Sequence, residues 1–127
     1  MRLLVDTHIL IWFLEGNSSL TQPRQQLIID SDNDIFVSIA CLWEIAIKIS
    51  TGKLNLSLSM KEIVDYLGKE NFKILSITSE HIIEIEKLPF YHKDPFDRIL
   101  IAQAKVESLA LITDDKHMKL YNVKTYS

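Results

Sequence analysis

Apolar and polar positions along this chain fall into two kinds of run. Leu3-Leu4-Val5 form a short unbroken apolar stretch that stops at a turn-favouring acid, and comparable stretches recur, which predicts strands at Arg2–Asp6, Asp34–Ser38, Lys73–Ile77 and Ala110–Thr113, with a weaker last one at Asn122–Thr125. None of them alternates strictly between apolar and polar, the pattern of strands covered on both faces. Between them, apolar residues recur at three and four positions, predicting helices over His8–Leu14, Pro23–Ser31, Ile39–Thr51, Lys61–Lys69, Glu80–Leu88 and Pro95–Ser108. In the third of these, Leu42, Ile45, Ala46 and Ile49 make one apolar face, which Trp43 and Ile47 are expected to extend. Gly52 then supplies a residue suited to the left-handed conformation found just past many helix ends. Strands alternating with helices predict an α/β fold: a central parallel sheet of four to five strands with helices on both faces.

Length and composition refine this picture. At 127 residues the chain is the size of one ordinary domain, spanning 1–127, and its 47% hydrophobic content, three Gly and three Pro argue against disorder. No apolar stretch reaches the roughly 18 to 20 residues that span a bilayer, and the N-terminus lacks a basic leader before a cleavable apolar segment, so the expectation is a cytoplasmic protein with no membrane association. The single cysteine, Cys41, lies in an apolar helical pattern and reads as a buried small hydrophobe. His8, His81, His92 and His117 show no paired spacing of the kind that holds zinc. The formal charge of −3 has the wrong sign for a module that grips nucleic acid by bulk electrostatics. It weighs less against a metal enzyme, because bound divalent cations invert the local sign around clustered carboxylates.

Such a cluster is expected where an open parallel sheet binds ligands, beyond the carboxyl ends of its strands. Asp6 ends the first strand, Asp97 lies in the first turn of the helix that opens at Pro95, and Asp115 follows the fourth strand. Glu44 sits about six residues into its helix, roughly 9 Å from the start at ~1.5 Å per residue, from where a long carboxylate can still reach inward. Each has an ordinary alternative. Asp6 suits an N-cap; Asp94-Pro95-Phe96-Asp97 reads as N-cap, proline at the first helical position and a favourable acid at the third. Glu44 and Lys48 have the spacing of an exposed helical ion pair, and Asp114 and Asp115 suit a turn. These separate explanations would have to coincide at one edge of one sheet. Carboxylates packed together repel one another unless cations neutralise them, and hard oxygen ligands select Mg²⁺ or Mn²⁺.

Four stretches together resemble the VapC-type PIN-domain toxins of bacterial toxin-antitoxin pairs: Leu4-Val5-Asp6-Thr7-His8; Ser38 with Leu42-Trp43-Glu44-Ile45-Ala46-Ile47-Lys48; His92-Lys93-Asp94-Pro95-Phe96-Asp97-Arg98 running on to Ile101-Ala102-Gln103-Ala104; and Thr113-Asp114-Asp115. The likeness spans nearly the whole chain, in order and spacing. It implies a single PIN-like domain that hydrolyses RNA phosphodiesters with a water activated by Mg²⁺ or Mn²⁺ in an acidic pocket. It also implies restraint by a cognate antitoxin and pairing as a homodimer. By position, Asp6, Glu44 and Asp97 match the principal metal-site acids, and the fourth, which follows Thr113 after one intervening residue, is Asp115, with Asp114 in the intervening place. Thr7 and Ser38 match polar positions that orient water or a carboxylate, while Lys48 and Arg98 are expected to contact phosphate or to hold the acids in position.

Two other small α/β domains that gather acids at a sheet edge fit less well. A receiver-type signalling domain needs a phosphoacceptor Asp after a middle strand, where this chain has Ser76, Thr78 and Ser79; an aspartyl-nucleophile phosphohydrolase needs a second Asp two positions after the first, where His8 stands. A non-catalytic RNA- or partner-binding module of the same fold is the remaining alternative, and intact acids at all four positions argue against it. Lys93, Arg98, Lys105, Lys116 and Lys119 are candidates to line an RNA path. Trp12, Phe13 and Leu14, with the stretch from Leu20 to Ile29, are candidates for an interface with the antitoxin or a second copy, or for ordinary core packing.

Overall fold

The computed structural model describes residues 1–126. Strands β1 (Arg2–Val5), β2 (Asp34–Ser38), β3 (Lys73–Leu75), β4 (Ala110–Ile112) and β5 (Thr125–Tyr126) form one parallel sheet in the order β3-β2-β1-β4-β5. Helices α1 (Thr7–Glu15), α2 (Gln22–Ile29), α3 (Ile39–Ser50), α4 (Met60–Lys69), α5 (Ser79–Lys87) and α6 (Pro95–Glu107) make the crossovers. β1 is central, with Leu3 paired to Ile35 on one side and Ala110 on the other. The chain builds outward from β1 through β2 to β3, then returns across β1 to lay down β4 and β5. The reversal opens a crevice at the carboxyl ends of β1 and β4, the usual ligand position in such a sheet.

Leu3, Leu4 and Val5 are all fully buried, so both faces of β1 are covered, as its unbroken apolar run predicts. Leu100, Ile101, Leu111, Ile112 and Ile9 join them in one core. Each such side chain contributes roughly 1.5–3 kcal/mol relative to exposure. This rigid layer fixes where each strand stops and each helix begins. Three caps carry the layer into the site: Asp6 accepts the Ile9 N–H at 2.8 Å, Ser38 the Ala40 N–H at 3.0 Å, and Asp94 the Phe96 and Asp97 N–H groups at 2.8 and 3.1 Å. Among the described residues no helix is long and apolar enough to cross a membrane.

Two local expectations change. The last strand is Thr125–Tyr126 rather than Asn122–Thr125, because a 3-10 turn at Met118–Leu120 buries Met118, Tyr121 follows with its ring buried, and the chain reaches β4 only when Thr125 comes opposite Leu111. In α3, Leu42 and Ile45 are buried as expected, but Trp43 is 59% exposed and Ile47 40% exposed. These two lie on the open side, while Glu44 turns inward at 8% exposure. Gly52 does adopt the left-handed conformation, at φ 76°. Trp12, Phe13 and Leu14 are half-buried against the core, with the Phe13 ring 5.9 Å from that of Phe72; Leu20 and Ile28 are buried, while Ile29 is exposed.

Candidate acidic site

Asp6 leaves β1 and caps α1, so its carboxylate is fixed from two sides: Oδ1 accepts the Ile9 N–H, and Oδ2 accepts the hydroxyl of Thr113 at the end of β4. Burial pushes the Asp6 carboxyl above its ordinary range, with the nearby charge of Asp115 adding to the rise; the bonds from Thr113 and Ile9 and the charge of His8 oppose it without cancelling it. Thr113 also accepts the Asp115 N–H at 3.0 Å, so one hydroxyl ties the two strand-end acids together.

Asp97 stands in the first turn of α6, pinned there by the Asp94 cap and the fixed φ of Pro95. Its carboxyl is pushed up to about 7, first by burial and then by the negative charges of Asp94, Glu44 and Asp115, with His92 opposing. Asp115 behaves differently. Burial acts to raise it, but Oδ1 accepts the Met118 and His117 N–H groups at 3.0 and 2.7 Å and Oδ2 meets His92, so the carboxyl is held below its ordinary range. Glu44 is not the exposed partner of a surface ion pair: it is buried, Oε2 lies 3.2 Å from Lys48 Nζ, and Oε1 is buried with no hydrogen-bond partner. Thr7 Oγ1 is likewise buried without a partner, and Ser38 is fully buried as the α3 cap.

The four acids thus converge at the β1–β4 crevice, and Asp114 does not join them. Its carboxylate turns outward to Arg24 at 2.9 Å. Arg98 is buried, and its guanidinium is committed to the carbonyls of Ile85, Leu88, Pro89 and His92 at 3.0 to 3.4 Å, with Phe90 stacked 4.2 Å from it. It stitches the loop before α6 in place, with both terminal nitrogens spent on that task. Lys105 bridges to Glu84 and lines a cleft with Arg2 and Lys124, beside the first residue of β4 and so at the opposite end of the sheet from the acids. Lys93, Lys116 and Lys119 remain exposed on the loops around the crevice. Cys41 is buried and its thiol pushed up to about 12 by burial, which suits an inert core position.

Spacing along the chain conceals the histidines' contribution. His92 Nε2 lies 2.9 Å from Asp97 Oδ2 and 3.1 Å from Asp115 Oδ2, and the rings of His92 and His117 meet edge to face at 5.3 Å. His92, Asp115 and His117 each bring one ligand atom within 4.8 Å of the others, so a site of mixed nitrogen and oxygen donors is spatially open although no paired helical spacing announces it. The signal in the sequence was adjacency alone, since His92 stands two residues before the Asp94 cap.

The chain matches the PIN domain model over residues 3–124. No curated protein matches it. Among solved structures it is similar to VapBC2 from Rickettsia felis bound to a promoter DNA fragment, at 15% identity over 99% of this chain and 98% of that one with a TM-score of 0.74. It is also similar to VapBC-1 from nontypeable Haemophilus influenzae, at 17% identity over 100% and 98% with a TM-score of 0.69. A toxin-antitoxin complex from Klebsiella pneumoniae matches at 19% identity over 98% and 95%, with a TM-score of 0.66.

Proposed function

The chain belongs to the PIN domain family, and from that premise we propose that it is an endoribonuclease dependent on Mg²⁺ or Mn²⁺, the toxin of a toxin-antitoxin pair. The observation that carries the reading is the state of three of the four carboxylates: Asp6 and Asp97 are both held above their ordinary range, principally by burial and further by neighbouring carboxylates, while Glu44 keeps a buried oxygen without a partner. A pocket of that kind is at a disadvantage until a cation enters it. The donor set is carboxylate oxygen from Asp6, Glu44, Asp97 and Asp115, which suits a small hard divalent ion. When bound, such an ion activates water and balances charge at a phosphodiester.

The protein's own groups supply position. Thr113 and the Ile9 N–H aim the Asp6 carboxylate; the Asp94 cap sets the first turn that presents Asp97; Lys48 holds one oxygen of Glu44 and leaves the other inward. Thr7, whose hydroxyl is buried beside Asp6 without a partner, is the group we assign to orienting water, and Ser38 acts through the α3 cap that brings Glu44 inward. The exposed Lys93, Lys116 and Lys119 attract the RNA backbone towards an otherwise acidic rim. The similarity to complexes described as VapBC and as toxin-antitoxin supports a cognate antitoxin as partner; pairing with a second copy of this chain and action in the cytoplasm, where RNA is available, complete the proposal.

The test is cleavage of labelled structured RNA by antitoxin-free protein in Mg²⁺, Mn²⁺ or EDTA, comparing wild type with Asp6→Asn and Asp97→Asn. Metal-dependent cutting abolished by both substitutions, with circular dichroism unchanged, is the expected result. Cutting that persists equally in both variants would overturn the assignment of the site.

A further inference from the structure

We infer that His92 is the positioning residue of the acidic site: its Nε2 sits between Asp97 and Asp115, hydrogen-bonded to the second and in close polar contact with the first, and holds the two carboxylates in the geometry that receives a divalent cation. The inference rests on the metal-site reading above and adds a residue to it. Asp97 and Asp115 come from different elements, the first turn of α6 and the loop after β4, and like charges brought together by separate elements drift apart unless something spans them. His92 Nε2 spans them, at 2.9 Å from Asp97 and 3.1 Å from Asp115.

The ring is built to donate at that atom. Its Nδ1 accepts the Asp94 backbone N–H at 3.2 Å, and a backbone N–H cannot accept in return, so the ring proton is required on Nε2, facing the two carboxylates. This same bond argues that His92 is not a metal ligand, because a ligating imidazole leaves its coordinating nitrogen bare and donates from the other one. The residue is also held at its backbone. Its N–H donates to the Tyr121 hydroxyl at 3.0 Å, its carbonyl accepts from Arg98 at 3.2 Å, and Tyr121 in turn donates to Pro89 at 2.7 Å. Arg98 and Tyr121, both buried and both bonded to the His92 backbone, thereby act on the site through His92.

The division of lone pairs explains why one donor suffices. Asp115 Oδ1 is filled by two backbone N–H groups, so only Oδ2 needs anchoring. Among the described residues the Asp97 carboxylate makes no side-chain hydrogen bond; its close polar contact is His92 Nε2, 2.9 Å from Oδ2. Without the imidazole, Asp97 would lose that contact and keep the repulsion of Asp94, Glu44 and Asp115.

The experiment follows wild type, His92→Leu, His92→Gln and His92→Asn by melting temperature against Mg²⁺ and Mn²⁺ concentration, together with kcat and KM for RNA cleavage. The glutamine amide reaches the place of Nε2, whereas the asparagine amide reaches only that of Nδ1. His92→Leu is expected to raise the metal concentration for half-maximal stabilisation by ~10–100-fold and to lower kcat with KM for RNA unchanged. His92→Gln recovers most of the metal affinity and His92→Asn does not. The inference is overturned if His92→Leu binds metal like wild type, or if Gln and Asn behave alike; should the leucine variant fail to fold, the Gln and Asn pair still decides it. Because the metal titration needs no cleavage, a wild type that binds metal but cuts no RNA counts against the nuclease reading alone, and the metal affinities of the variants still decide the role of His92.

Discussion

Replacing Asp97 by Asn removes one charge from the acidic site and keeps an oxygen that can lie against His92 Nε2. In the folded protein the Asp97 carboxyl sits at about 7 against an ordinary 3.8, principally through burial and then through Asp94, Glu44 and Asp115. The folded state therefore holds the proton more tightly than the unfolded chain. The native protein is destabilised as pH rises from about 4, where unfolded Asp ionises, to about 7, where native Asp97 follows, at ~1.4 kcal/mol per pH unit; above that the cost is constant at about 4 kcal/mol. Below about pH 4 both states are protonated and the contribution vanishes. Asp97→Asn escapes this cost, so in EDTA its gain in stability over wild type should be about 2 to 3 kcal/mol larger at pH 8 than at pH 5. In a domain of this size that corresponds to a relative shift in melting temperature on the order of 10 °C. The assay is thermal and urea unfolding of both proteins at the two pH values, repeated with Mg²⁺, which should stabilise wild type and leave the variant unmoved. An equal change at both pH values, or a variant that is less stable at pH 8 than wild type in EDTA, would refute the account of Asp97 as a carboxylate under repulsion.

Three further outcomes follow from the same geometry. Arg98→Ala should cost ~3–5 kcal/mol in urea unfolding, because it empties a buried cation site and strands several carbonyls; near-native stability with lost RNA affinity would instead make Arg98 a phosphate contact. Asp114→Asn should alter stability by at most ~1 kcal/mol, since its partner Arg24 meets a half-exposed carboxylate, and should leave the metal-induced melting shift intact, whereas Asp115→Asn should diminish that shift; the reverse result would reassign the fourth acid. Cleaved RNA should carry 5′-phosphate ends, read by end-labelling, because the proposed nucleophile is water activated by the metal ion; a 2′,3′-cyclic phosphate would mean that the RNA's own hydroxyl attacks and that the site works differently.

The apolar runs of β1, β2 and β4, the helical spacing between them and the caps at Asp6, Ser38 and Asp94 were legible because each is a local matter: which side of its own element a residue faces, and which residue type satisfies a helix end. The convergence of Asp6, Asp97 and Asp115 was legible for the same reason, since an acid at the carboxyl end of a strand in a parallel sheet goes to the same edge as its counterparts. Glu44 is the boundary case. Its place on α3 follows from periodicity, but whether it or Trp43 faced inward depended on the angle at which α3 lies against the sheet, and the expectation that Trp43 and Ile47 would extend the buried face failed there.

What only the tertiary structure decided was pairing between parts far apart in the chain. Nothing near His92 states that its Nε2 will bond Asp115, 23 residues on, while lying against Asp97. Nothing near Arg98 states that its charge will be spent on the carbonyls of its own preceding loop, or near Lys105 that it will lie at the far end of the sheet. Periodicity and capping are properties of a few consecutive residues and are written in them; hydrogen bonds between separate elements depend on distances set only when the whole core is packed, and no residue carries that information alone.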